Sequence, residues 1–286
     1  MEILLTLVGF GIVSGAVAAV PALGLTLMYG SSRFINFAYG EWMTLAAFLT
    51  LSLSGVAPLW LASAGAILVV ALYGPLANRV VFRPLADRHG LVLLVTSLGL
   101  SFVMQNAIRA IWGVSVRRLE TPSALGRGIT FGPLRFTPLQ LIILGVALLV
   151  MAGAAYLLLR TDLGMKIRAA AENRELARVT GIRVERISAL TWGLASALAA
   201  LGGIMVALTA SFTPSLGFTL LLIVASAMIL GGMGSPVGAV VGALILGVAM
   251  EVSTIVISGA LKPAVAFATL AAVLLVEPSG LLGRRA

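Results

Sequence analysis

Residues 4–29 read LLTLVGFGIVSGAVAAVPALGLTLMY, a run without a single Asp, Glu, Lys or Arg. A helix needs about 20 predominantly apolar residues to cross the hydrocarbon core of a bilayer. The run is too long for the hydrophobic region of a secretory signal, and no basic segment precedes it, so it reads as a retained span. The same pattern recurs along the chain. The nine candidate spans are Leu4–Tyr29, Ala38–Leu53, Leu59–Asn78, Leu91–Trp112, Leu139–Leu159, Ile187–Ala210, Leu220–Met233, Val237–Ser258 and Ala264–Val276. The second, seventh and ninth are short, which predicts tilted, broken or partly inserted helices and brackets the count at eight to ten, with nine preferred. The expected fold class is all-α, a polytopic integral membrane protein.

Composition agrees. Of 286 residues, 60% are hydrophobic and 10% charged, with a mean hydropathy of +1.12. Ordinary soluble domains carry about a quarter charged residues, and a soluble core of this size could not hide so much apolar surface. The polar connections are too short for a separate soluble domain, so one transmembrane domain over residues 1–286 is expected. The absence of cysteine removes disulfides, thiolate metal sites and cysteine nucleophiles. The lone His89 sits in a charged loop and cannot build a metal site, so none is expected. The net charge of +9 comes from arginines in short loops between spans. That distribution points to membrane topology rather than to nucleic acid.

Three basic segments set the orientation. The loop 160–186 carries Arg160, Lys166, Arg168, Arg174, Arg178, Arg183 and Arg186. The loop 79–90 carries Arg79, Arg83 and Arg88, and the tail carries Arg284 and Arg285. Nine spans put all three on one side, cytoplasmic by the positive-inside rule, with the N-terminus outside and the C-terminus inside. The loop 113–137 then lies outside despite Arg117, Arg118, Arg127 and Arg135.

Polar groups inside such a chain are conspicuous. SSRFINFAYGEW, residues 31–42, places Arg33, Asn36, Tyr39 and Glu41 between two apolar runs. The fourth span carries Gln105, Asn106 and Arg109, and the eighth carries Glu251. Gln105 and Arg109 share a helix face at i, i+4 spacing. Ionisable residues within spans are functional candidates by default; the competing readings are hydrogen bonding between helices and, for Arg109, snorkelling to the interface. Two acids are too few for a proton relay, and no GxxxxGK[ST] phosphate loop occurs, so the chain has no visible energy source of its own. Gly234, Gly238 and Gly242 recur every four residues, a spacing that permits close helix packing, a subunit interface or a hinge.

The connection 161–186, TDLGMKIRAAAENRELARVTGIRVER, is patterned. Met165–Val179 is rich in helix formers, and Gly181 is a natural stop. A short amphipathic helix fits, either lying on anionic lipid or docking into a groove on another protein.

These residues resemble the permease subunits of branched-chain amino acid ABC importers, the LivH type. Leu27–Phe48, LMYGSSRFINFAYGEWMTLAAF, is similar to that family's glycine turn followed by INFAHGE, with Tyr39 where histidine is usual. Phe82–Asn106, Ile229–Gly247 and Val276–Arg285 carry further likeness, so the resemblance spans nearly the whole chain. It implies an ABC importer permease fold in a bacterial-type plasma membrane and no enzymatic activity. The implied partners are a second homologous permease, two cytosolic ATPase subunits and a periplasmic substrate-binding protein. ATP would be used by the partners, with no cofactor bound here. Ala169–Ile182 then resembles a coupling helix, with Ala170, Ala171, Glu172, Ala177 and Gly181 as the ATPase-coupling residues. Asn36, Tyr39, Glu41, Gln105, Asn106 and Glu251 are the candidates for the translocation path. A urea or short-chain amide permease is the alternative within the class. An ion-coupled secondary carrier is a second, and a membrane enzyme has too few catalytic groups to be built from this chain.

Overall fold

The computed structural model describes residues 2–86, 88–120, 128–131, 134–277 and 279–283. Arg127, Arg284 and Arg285, with the end of the Val276–Arg285 motif, lie outside the described residues. Each of the nine apolar segments forms a helix: α1 Glu2–Ser32, α2 Tyr39–Leu53, α3 Leu59–Ala77, α4 Gly90–Trp112 and α5 Pro138–Arg160, then, after two short helices, α8 Val184–Thr209, α9 Leu216–Gly231, α10 Pro236–Ser253 and α11 Lys262–Val276. The short pair is α6 Asp162–Glu172 and α7 Arg174–Val179. Seven helices among the described residues are long and apolar enough to cross a membrane. α2, with 15 residues, and α9, with 16, are shorter than a full crossing.

Local chemistry sets the boundaries. Thr137 and Gln140 form a reciprocal capping box at the start of α5, with Pro138 in its first turn. Ser235 caps α10 by accepting from Gly238 N at 3.1 Å. His89 caps α4, accepting from Leu91 N, which gives that lone histidine a structural use. The π-helical turn Asn78–Phe82 and the 3-10 turn Arg83–Leu85 extend α3. A strand pair departs from the helical pattern in the loop after α4. There β1 Ile129–Phe131 pairs antiparallel with β2 Leu134–Phe136, because a hairpin satisfies backbone groups that no helix serves.

The centre of the bundle is α2. Tyr39, Trp42, Met43, Ala46, Ala47 and Phe48 are fully buried, enclosed by α3, α4, α8 and α9. A helix wrapped by protein on every side need not match the bilayer thickness, which is how a short helix is tolerated here. α1 packs along α10 and α8 packs along α3, and α1 also lies against α8. α8, α9 and α10 repeat the order of α1–α3, a long helix, a short one and a third. A buried aromatic cluster joins Trp42 to Trp192 at 5.9 Å, Trp192 to Phe82 at 5.1 Å and Phe82 to Phe34 at 5.4 Å.

Small residues allow these approaches. A Cβ on Gly203 of α8 would strike the Met43 backbone of α2. Gly238 and Gly242 bring α10 against α9 at Gly231 and Ala227, so two of the repeating glycines serve packing within the chain. Gly234 instead serves the turn between those helices, at φ +86°.

The loops sort to two ends. Arg33 bonds to Ala171 and Asn78 to Ser188, so the α1–α2 turn, the end of α3 and the loop 160–186 share one end. The tail joins them through Leu281 N to Leu230 O at 2.9 Å and Leu282 N to Gly231 O at 3.0 Å. Trp112 reaches Ser52, and Arg117 pairs with Phe212, at the other end.

Gly203→Val should cost about 1–3 kcal/mol through overpacking, whereas Gly145→Ala, inside α5 with open space around it, should add roughly 0.5–1 kcal/mol of stability. Thermal unfolding of the two purified variants in detergent measures both.

Candidate functional site

Between α1 and α2 the chain does not simply turn at the membrane surface. The Tyr39 hydroxyl donates to Pro21 O at 2.8 Å and lies 3.1 Å from Ala195 O. Pro21 lies eleven residues before the end of α1, about 16 Å of helix rise. Residues 33–38 therefore run back into the bundle, and α2 starts well inside it. Asn36 is fully buried and serves the start of α2, with its Oδ1 accepting from Ala38 N at 3.0 Å. Phe37 N donates to Ser97 Oγ of α4 at 3.1 Å. Tyr39 thereby ties α1 and α8 to the start of α2.

α9 begins the same way. Residues 210–215 lead back from the end of α8, and Gly217 meets Gly40 so closely that a Cβ on either would collide with the other's backbone. The Thr44 hydroxyl accepts from Gly217 N at 2.8 Å, so a side chain of α2 satisfies an N-terminal donor of α9. Two helix N-termini meet inside the bundle, and their combined dipoles favour negative charge. Glu41 supplies it. This carboxylate is 1% exposed and accepts from Ser101 Oγ at 3.4 Å, while its second oxygen has no hydrogen-bond partner. Arg109 lies within electrostatic reach of it and donates to Ser215 Oγ at 3.2 Å, just ahead of α9.

These partners form one stripe. Ser97, Ser101, Gln105 and Arg109 follow at four-residue intervals along α4. Sequence reading found Gln105 and Arg109 and missed the two serines, although the spacing was there to be extended. Nothing in sequence pointed to Thr44 or Ser215, which act across helix pairs. Gln105 is half-buried on this stripe, whereas Asn106 is exposed on another face and donates to Phe102 O of its own helix at 2.8 Å. Glu251 stands apart from this cluster. It accepts from Lys262 Nζ at 2.7 Å and from Ser14 Oγ at 2.9 Å, pinning α10 to α11 and α1.

The loop 160–186 folds as two helices where one is expected. Asn173, in extended conformation, ends α6 and caps α7 by accepting from Leu176 N at 3.0 Å. The amide side chain competes for backbone hydrogen bonds and breaks the helix. α7 closes with Gly181 N to Arg178 O and Ile182 N to Ala177 O, both 3.0 Å, the two bonds of a Schellman motif. Gly181, at φ +84°, supplies the left-handed residue this motif requires. Ala170 and Ala177 are buried against the chain's own helices, and Ala171 is half-buried near Gly30. Glu172 is exposed, and so are the apolar side chains of Met165, Leu176 and Val179. Among the described residues no cluster of acidic or histidine side chains could hold a metal.

Residues 7–274 match the family described as branched-chain amino acid transport system / permease component. The chain is 33% identical over 290 residues to the high-affinity branched-chain amino acid transport system permease protein LivH of Salmonella typhimurium, covering 96% of this chain and 94% of that protein. It is likewise 33% identical to the corresponding permease protein BraD of Pseudomonas aeruginosa, with the same coverage. Among solved structures, a chain of PsaBC from Streptococcus pneumoniae in complex with Fab superposes with a TM-score of 0.52 over 95% of this chain and 92% of that one. At 11% identity that likeness speaks to the fold alone. The buried short helices, the helical surface loop and the chain-long similarity converge: this chain belongs to the family of branched-chain amino acid transport permeases, membrane-spanning components of ABC transporters.

Proposed function

We propose that this chain forms one half of the translocation path of an ATP-driven importer of branched-chain amino acids. The observation that carries this reading is the similarity to LivH and BraD over almost the full chain. A second, homologous permease would complete the path, two cytosolic ATPase subunits would supply the energy from ATP, and a periplasmic binding protein would deliver substrate. The chain itself would bind no cofactor and hydrolyse nothing.

The polar stripe of α4 and the Glu41 carboxylate are the groups we assign to the path, with Gln105 between them. An amino acid carries both charges, so a carboxylate set beside two helix N-termini and Arg109 offers complementary groups to each end of the zwitterion. Aliphatic side chains would pass along walls of Leu, Val, Ala and Gly without losing hydrogen bonds. We assign Asn36 and Tyr39 to holding the inserted segment, and Glu251 to holding the helices together. The exposed Met165, Leu176 and Val179, with Glu172, form the surface offered to an ATPase groove, and Gly181 fixes the geometry of that surface. One domain from residue 1 to 286 contains all of these parts.

The basic end of the bundle, with Arg33, Arg79, Arg83, Arg88 and the loop 160–186, would face the cytoplasm of a bacterial-type inner membrane. The tail lies at that end, which would put the C-terminus inside. Because the chain has no cysteine, single-cysteine variants report topology without background. Val116→Cys should react with an impermeant maleimide on intact cells, and Leu176→Cys only after the membrane is opened. The reverse pattern would invert the orientation.

The functional test is uptake by proteoliposomes holding both permeases and the ATPases, with binding protein outside and ATP within. Labelled leucine should accumulate with ATP, and excess valine or isoleucine should compete. Competition by urea but not by leucine would replace this reading with an amide permease. Uptake driven by an ion gradient without the ATPases would replace it with a secondary carrier. Glu41→Gln should lower leucine uptake by roughly tenfold, a coupling loss of about 1.4 kcal/mol, while folded protein is still recovered. Normal uptake by that variant would remove Glu41 from the path.

A further inference from the structure

Arg33 is the one described residue other than glycine with a positive φ, at +59°. That conformation costs a side-chain-bearing residue more than it costs glycine or asparagine. If the turn after α1 were all the position had to provide, glycine would serve it better. What arginine adds is reach. Its guanidinium donates to the carbonyl of Ala171, in the last turn of α6. That carbonyl belongs to the set at a helix C-terminus with no intrahelical donor, and a cation there also complements the helix dipole. The two elements already touch at this place: a Cβ on Gly30 would lie 3.6 Å from the Ala171 methyl.

The chain on the other side of Arg33 leads directly into α2. Phe34 is buried in the aromatic cluster against Phe82, and Asn36 is buried at the start of α2. Ser32, just before Arg33, accepts from Trp192 Nε1 at 3.0 Å. A segment anchored so closely on both sides transmits a displacement instead of absorbing it.

We propose that Arg33 is a positioning residue that ties the end of α6 to the segment leading into α2, so that movement of the surface loop reaches the buried helix carrying Glu41. This rests on the reading of α6 and α7 as the surface that meets the ATPase. It adds the route by which that surface acts on the path.

The test uses the assembled importer and measures substrate moved per ATP hydrolysed. Arg33→Gly relaxes the backbone and removes the reach. Arg33→Asn keeps a residue that accepts the left-handed backbone and also removes the reach. Both should assemble and hydrolyse ATP at the basal rate, yet move about tenfold less leucine per ATP, within the usual 5- to 150-fold range of coupling effects. Arg33→Lys, which keeps the charge on a long stem, should recover part of the loss. Hydrogen exchange gives a readout that a purely structural role would not move. Amides of residues 34–42 should change protection on nucleotide binding in the wild type and not in the glycine variant. A wild-type ratio in either the glycine or the asparagine variant would overturn the link. Absence of ATP-driven leucine uptake in the wild type overturns the functional reading and this inference with it, whereas wild-type uptake equalled by Arg33→Gly overturns the Arg33 link alone.

Discussion

Inside a bilayer no water is at hand to satisfy a backbone N–H, and this constraint organises the molecule. α2 and α9 both begin within the bundle, where each exposes donors that a helix cannot serve itself. Asn36 and Ser97 serve the segment leading into α2, and Thr44 serves α9 from across the helix pair. Gly40 and Gly217 let the two ends meet. Small residues on α8 and α10 serve other approaches: Gly203 lies on Met43 of α2, and Gly238 and Gly242 lie on Gly231 and Ala227 of α9.

The same meeting point concentrates electrostatics. Two N-terminal dipoles point toward one region, and Glu41 sits there with Arg109 near it. A buried carboxylate with one oxygen unpartnered is costly unless its surroundings favour charge or its role requires an open acceptor. By contrast, the other intramembrane acid, Glu251, is neutralised by Lys262 and holds three helices in register. Two glutamates of similar hydropathic context thus have different surroundings, and the neighbours decide which.

The surface loop has an inner and an outer face. Ile167, Ala170 and Ala177 turn inward and seat α6 and α7 on the bundle, while Met165, Leu176 and Val179 turn outward. Asn173 sets the angle between the two helices, and the Schellman closure at Gly181 directs the chain into α8. Arg33 brings this surface into contact with the approach to α2, two regions 138 residues apart in sequence.

Sequence alone determined that the chain is a membrane helical bundle. Uninterrupted apolar length has one physical solution in lipid, and each of the nine segments read from hydropathy is a helix. It also determined where polar groups interrupt the apolar runs, because a polar residue in such a run is visible against its background. Which of those groups act together was decided by tertiary structure. Ser97 and Ser101 were legible only once α4 was known to face α2, and Thr44 became a cap only through the approach of α9. The separation of Glu41 from Glu251, the inward turn of the alanines and the reach of Arg33 to Ala171 depend on contacts between distant segments. Local pattern fixes what a helix buries; which helix lies against it is set by packing, and packing gives these polar groups their partners.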